Sequence, residues 1–227
     1  MGVALLSVAA LAVLAALLPR ELAANAPAGL RERLAVIAAP GAFPALLTTT
    51  LWAVAAYTVY TYISPYLSAA ANLASGQIGL VLMVYGISAL AGVTLGGIGV
   101  DRVGSRNVQA IALPVMALAF FGLTAIGVLR GPGAIAAIVG AVVVWGISAW
   151  SFFPAQQNRL IGVAGPANTP VILSLNASFM YLGFALGAVL GSLVINTVGV
   201  VWIGLAGALS LGAAMAMSRF AWGRQAN

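Results

Sequence analysis

The sequence predicts an all-α integral membrane protein of about seven transmembrane helices, six of which form a bundle of two inverted triplets. Three observations carry this expectation. Of 227 residues, 63% are hydrophobic and 5% are charged, against about 25% charged in an ordinary soluble domain. The apolar residues fall in runs that approach or exceed the roughly 20 needed to cross a bilayer as helix. The arginines sort onto alternate connections between those runs.

Taken in order, the runs are 2–18, 43–67, 77–99, 108–128, 133–154, 171–195 and 198–220. The first is short and begins at Met1, as a clipped span would. Segment 19–42 carries Arg20, Arg31 and Arg33, segment 100–107 carries Arg102 and Arg106, and segment 155–170 carries Arg159. Arg219 and Arg224 close the chain, and the opposite set of connections holds only Arg130. Arginine-rich short connections stay in the cytoplasm. The N-terminus is therefore expected outside and the C-terminus in the cytoplasm, in a multi-pass inner (cytoplasmic) membrane protein.

Segment 19–42 contains PAGLRERLAVI. Pro27 can start a short helix with Leu30, Leu34 and Ile37 on one face and Arg31, Glu32 and Arg33 beside it. That pattern fits an interfacial helix lying on the membrane and fits a solvated linker equally well. The expected organisation is a clipped transmembrane helix at 1–18, a linker at 19–42 and a six-helix bundle at 43–227.

The six later runs repeat. YTVYTYISP ends run two at Pro65, and WGISAWSFFP ends run five at Pro154. Tyr85, Ala89 and Leu90 of run three match Tyr181, Ala185 and Leu186 of run six at constant offset. Three runs per repeat is an odd number, so the second triplet enters from the opposite side. Inverted repeats of this kind build many secondary transporters.

The composition excludes several classes. There is no cysteine and no histidine, and Glu21, Glu32 and Asp101 are the only acids. No metal, no other cofactor and no catalytic residue is expected, so the chain is not expected to be an enzyme. The net charge of +6 comes from arginines scattered between apolar runs. That is not a nucleic-acid-binding stripe. The apolar run at the start lacks the basic flank of a secretory signal.

Several polar or small faces invite function. Tyr57, Thr61 and Ser64 share one helical face with Tyr60 at its edge. Trp145, Ser148, Phe152 and Gln156 share another. Aromatic rings with polar tips suit a cavity that binds amphipathic or ring-shaped molecules. Tyr66 and Trp202, near run ends, read as membrane-interface residues. Asn176 needs a helix or substrate partner at its depth, and Gly183, Gly187 and Gly191 form a small-xxx-small stripe for close helix packing. In GGIGVDRVGSRN, residues 96–107, Gly97 would let helices approach and Gly104 would take a positive φ. Asp101 would dock on a neighbouring helix N-terminus, and Arg102 and Arg106 would hold the connection in the cytoplasm.

GGIGVDRVGSRN resembles the signature loop of the major facilitator superfamily, with Ser105 where the first of two terminal basic residues usually stands. YTVYTYISPYL (57–67), WGISAWSFFPAQQNRL (145–160) and SLNASFMYLGFALGAVLGSLV (174–194) are similar to the C-terminal half of its drug/proton antiporter branch, which includes sugar- and purine-efflux-like permeases. The resemblance implies a permease working by alternating access, exporting a small drug, sugar or nucleobase-like molecule. It implies that Gly97, Asp101, Arg102, Gly104 and Arg106 gate the carrier. The expected partners are the lipid bilayer, a small-molecule substrate, and a missing N-terminal half or a second copy. A non-transporting scaffold or an inactive fragment is the alternative.

Overall fold

The structure is a computed structural model that describes residues 2–17 and 29–223. Arg20, Glu21 and Arg224 lie outside these residues. All regular structure among the described residues is helical: α1 (Gly2–Leu17), α2 (Leu30–Ala38), α3 (Ala42–Tyr60), α4 (Ile63–Ala71), α5 (Ser75–Leu129), α6 (Ala134–Ala164), α7 (Thr169–Thr197) and α8 (Ile203–Gly223). Five helical segments are long and apolar enough to cross a membrane. One of them, α5, supplies two crossings.

The helix α5 is a hairpin. Gly104 has φ 83° and ψ 157°, a conformation open essentially only to glycine. Residues on both sides keep helical geometry, so the expected loop 100–107 shrinks to a corner at one residue. Gly99 and Val108, about 13 Å apart in a straight helix, touch: a Cβ built on Gly99 would lie 3.0 Å from Val108 Cγ2. The arms 75–103 and 105–129 both pack on α6, through Gly96 against Ser151 and through Gln109 against Gln156.

Two other boundaries differ from the sequence reading. Run two breaks at Thr61 and Tyr62 and resumes as α4, with Pro65 in its first turn. Proline has no N–H to bond the carbonyl four residues back, which places the interruption at Thr61. Pro154 does not end run five, because α6 continues to Ala164. The expected connection 155–170 is therefore mostly helix, and it closes through Gly165 and a short 3-10 turn at Pro166–Asn168.

The inverted repeat is visible in the packing. Helices α3 and α6 lie antiparallel, since Ala45 meets Gln156, Trp52 stacks on Phe152 and Tyr60 meets Trp145. A Cβ on Gly187 would lie 2.6 Å from Val54 O, and one on Gly191 would lie 2.9 Å from Thr58 O. Where the first arm of α5 crosses α6, Gly92 and Gly96 press on Ile147 O and Ser151 O in the same way, so both crossings join one triplet to the other. A hydroxyl closes each crossing: Thr58 Oγ1 donates to Gly187 O at 3.2 Å and Ser151 Oγ to Gly92 O at 2.9 Å. In lipid there is little hydrophobic drive between helices. Close backbone approach and bonds of this kind hold them together instead.

The main core runs from Trp52 through Tyr66, Phe120 and Trp145 to Leu211. A smaller cluster joins Val36 of α2 to Leu46, Leu160 and Ile172. Leu30 and Leu34 of α2 are exposed, and the described side chains of α1, residues 7–17, are exposed as well.

Candidate functional site

Four helices, drawn from both triplets, enclose an aromatic cavity of about 320 Å³. α3 gives Trp52, Ala56, Tyr57 and Tyr60, and the first arm of α5 gives Tyr85. α6 gives Ala149, Trp150 and Phe153, and α7 gives Met180, Tyr181 and Phe184. No charged side chain lines it. Tyr57 stacks on Phe184 with ring centroids 3.6 Å apart. Tyr85 lies between Tyr60, at 5.5 Å, and Trp145, at 4.5 Å, and its hydroxyl accepts the Trp150 indole N–H at 3.1 Å. The walls are thus polarisable ring faces with a few hydroxyl and indole tips. Such a surface stacks on rings and hydrogen-bonds at their edges.

Of the residues expected to line a cavity, Tyr57 and Tyr60 are on this wall. Thr61 and Ser64 are exposed and stand off it, because the helix breaks between Tyr60 and Ile63 and turns their face away. Trp145, Ser148, Phe152 and Gln156 are all buried. Trp145 packs edge-on to Phe120 and Phe152 stacks on Trp52. Ser148 donates back to Val144 O. The face of α6 that reaches the cavity is rotated to Ala149, Trp150 and Phe153. An apolar helix in lipid carries no hydrophobic contrast between its inner and outer sides, so periodicity does not choose the face. A signal was present for two missed residues: Tyr85 and Tyr181, matched by the repeat, both reach the cavity.

Gln156 and Asn176 belong to a second feature, a buried polar chain toward the Gly104 end. Arg159 Nη1 donates to Gln109 Oε1 at 3.2 Å. Gln109 Nε2 donates to Gln156 Oε1 at 2.8 Å, and Gln156 Nε2 donates to Ala45 O and to Thr49 Oγ1. Thr49 Oγ1 donates onward to Asn176 Oδ1 at 2.7 Å. Ser218 and Trp222 of α8 also donate to Gln109 Oε1. Five spans meet in this chain: α3, the second arm of α5, α6, α7 and α8. Arg159, read from sequence as a connection residue, is 3% exposed and sits inside it. Gln109 was not singled out by sequence. An amide flanked by apolar residues, one helix turn past the Gly104 corner, was the available signal.

At the corner itself, Gly104 holds the positive φ. Gly97 makes no close approach, since nothing lies within 4 Å of a Cβ built on it. The neighbouring Gly96 does, at 2.6 Å from Ser151 Cα and O. Asp101, Arg102 and Arg106 are exposed, and Asp101 pairs with no cation among the described residues. Ser105, in the place of the family's basic residue, is buried and donates to Asn158 Oδ1 at 2.9 Å. Gly183, Gly187 and Gly191 lie directly against α3.

A helical bundle that crosses the membrane several times and encloses an uncharged aromatic cavity defines the class: a polytopic membrane protein with a small-molecule-sized site. The comparisons with known proteins agree. The chain is 33% identical over 193 residues to the inner membrane transport protein YdhP of Escherichia coli K12, covering 85% of this chain and 48% of that protein. It is 28% identical over 218 residues to an uncharacterized MFS-type transporter, YbcL, of Bacillus subtilis, covering 92% of this chain and 52% of that one. A probable sugar efflux transporter of Mannheimia succiniciproducens is 24% identical over 170 residues, 73% of this chain and 41% of that protein. No protein-family model matches. The chain belongs to the major facilitator superfamily. It spans about half the length of the curated relatives it matches.

Proposed function

We propose that the chain is one bundle, corresponding to the C-terminal half, of a secondary active carrier that exports a small organic molecule by alternating access. The observation that carries this reading is the aromatic cavity. It draws one wall from each triplet, carries no charge, and at about 320 Å³ falls at the small end of ligand pockets. Tyr57, Tyr60, Tyr85 and Trp150 would hold a neutral ring or sugar face by stacking and edge hydrogen bonds. Efflux is suggested by the name of the sugar efflux relatives.

In this reading residues 43–227 form the bundle, 19–42 the linker before it and 1–18 a helix of the other half. The arginine distribution favours the Gly104 end in the cytoplasm and the N-terminus outside. The other half would come from a longer form of the chain, another polypeptide or a second copy. It would seat on the exposed apolar flanks, Met83, Ile87 and Leu90 on one side and Leu182, Leu186 and Val189 on the other. Asp101, exposed at the corner, would find its partner on that half and act there as a gate with Arg102.

Binding tests the cavity. Quenching of tryptophan fluorescence in the purified chain is measured with monosaccharides, nucleobases and planar aromatic amines. At least one class should bind saturably, and Tyr57→Ala and Trp150→Ala should weaken it by up to about tenfold, since each removes a stacking face worth roughly 0.5–1.5 kcal/mol. Binding that both variants leave unchanged would sink the assignment of this cavity.

A further inference from the structure

The Gly104 end holds a buried cation that no carboxylate among the described residues answers. Arg159 donates to Gln109 Oε1, to Ser218 Oγ at 3.3 Å and to Ser218 O at 3.4 Å. Its guanidinium lies 4.4 Å from the centre of the Trp222 ring. These partners are all neutral, and the Nε, fully buried, has none. Of the acids, Glu32 and Asp101 are described, and neither touches it. A buried, unneutralised charge is strongly unfavourable. Such an arrangement persists when something else supplies the opposite charge.

The space beside Arg159 fits that role. A cavity of about 730 Å³ is lined by Arg106, Asn158, Arg159 and Trp222, with the Gly104 corner at its edge. A smaller one of about 180 Å³ shares Arg106 and Trp222 with it and adds Arg219. Three arginines from three spans therefore converge on adjoining spaces, and Asp101 lines neither. Guanidinium groups match the oxygens of phosphate in paired hydrogen bonds. The height in the bundle also suits a lipid phosphate, because basic pockets between transmembrane helices near the cytoplasmic surface take anionic headgroups.

We propose that the cavity between Arg159 and Arg106 is an anion site for a phosphate-bearing group, separate from the aromatic cavity and independent of what that cavity carries. Two sources share this chemistry, the headgroup of an anionic phospholipid and a free phosphate-type solute.

The test follows the thermal transition of the purified chain by tryptophan fluorescence, in phosphatidylcholine vesicles, in vesicles that also contain phosphatidylglycerol, and in phosphatidylcholine with added inorganic phosphate. An anion at a hundredfold excess over its dissociation constant should raise the midpoint by roughly 5 °C or more. A response to phosphatidylglycerol alone assigns a lipid headgroup, and a response to inorganic phosphate assigns a free anion. The shift should vanish in Arg106→Gln, whose side chain is exposed and whose loss leaves the fold intact. It should persist in Arg130→Gln, at the other end of the bundle. Arg159→Gln should also lose it. No shift with either probe would overturn the proposal, and so would an equal shift in Arg106→Gln and Arg130→Gln.

Discussion

Replacing Gly96 and Gly97 separately by alanine asks which glycine of GGIGVDRVGSRN holds the helices together. Both sit in the first arm of α5, so both gain the same backbone advantage, about 1 kcal/mol for alanine over glycine in a helix interior. They differ in surroundings. A Cβ on Gly97 meets open space, whereas one on Gly96 falls 2.6 Å from Ser151 Cα and O and 2.9 Å from Pro154 Cγ. Carbon atoms settle at about 3.5–4.0 Å, so α6 must retreat by about 1 Å. The obstacle is backbone, which cannot swing aside as a side chain would. Overpacking of this kind costs about 1–3 kcal/mol. Retreat would also stretch the bond from Ser151 Oγ to Gly92 O. Because the propensity gain is common to both variants, their difference isolates packing. Gly96→Ala should unfold more readily than Gly97→Ala by about 1–3 kcal/mol, and Gly97→Ala should match or exceed the parent. The measurement is a dodecyl sulfate titration in detergent micelles read by tryptophan fluorescence. If Gly96→Ala proves as stable as Gly97→Ala, the backbone contact at Ser151 does not hold the hairpin on α6.

The buried polar chain makes a second prediction. Gln109→Leu strips an acceptor from Arg159, Ser218 and Trp222 and a donor from Gln156, and should destabilise by about 3–5 kcal/mol, as when one partner of a buried charged group is removed. Gln109→Glu keeps the acceptor and sets a carboxylate beside Arg159, so in the same titration it should retain most of the lost stability. A third concerns the corner: Asp101→Asn should lower flux in a complete transporter by tenfold or more while leaving membrane abundance unchanged, since no described residue of this bundle bonds its carboxylate. Normal flux in that variant would remove Asp101 from the gate.

The fold was largely legible because two of its determinants are local. Gly104 can take a conformation closed to other residues, and Gly183, Gly187 and Gly191 advertise a close crossing by their spacing alone. The repeat of Tyr85 in Tyr181 also survived into the structure, where both reach one cavity. What stayed hidden depends on direction rather than on pattern. Trp145 and Trp150 are both indoles on one apolar helix, and only packing against Phe120 or Tyr85 decides which is core and which is wall. Gly96 and Gly97 are adjacent and chemically identical, and they differ by the 100° that separates neighbours on a helix. Arg159 was hidden for another reason. A lone arginine after QQN reads as a connection, and its burial follows from Gln109 and Ser218, which are distant in sequence.

The two packing devices bear on how such a bundle would move. The glycine crossings tie α7 to α3 and the first arm of α5 to α6, and each joins one triplet to the other. The polar chain joins the triplets a further time, running from α8 and the second arm of α5 through α6 and α3 to α7 near the Gly104 end. Opening a crossing would separate backbones now in contact. Opening the polar chain would strip Arg159, Gln109 and Gln156 of their present hydrogen-bond partners, a cost that burial raises. The bundle is thus held most strongly at one end and across its centre. The aromatic cavity is closed only by rings and a single Trp150–Tyr85 bond, and rings change rotamer without breaking helix contacts. In the proposed carrier, access to the cavity would be controlled by movement of another surface over its mouth together with repacking of Tyr57, Tyr60 and Phe184, while the helices beneath would move as one body.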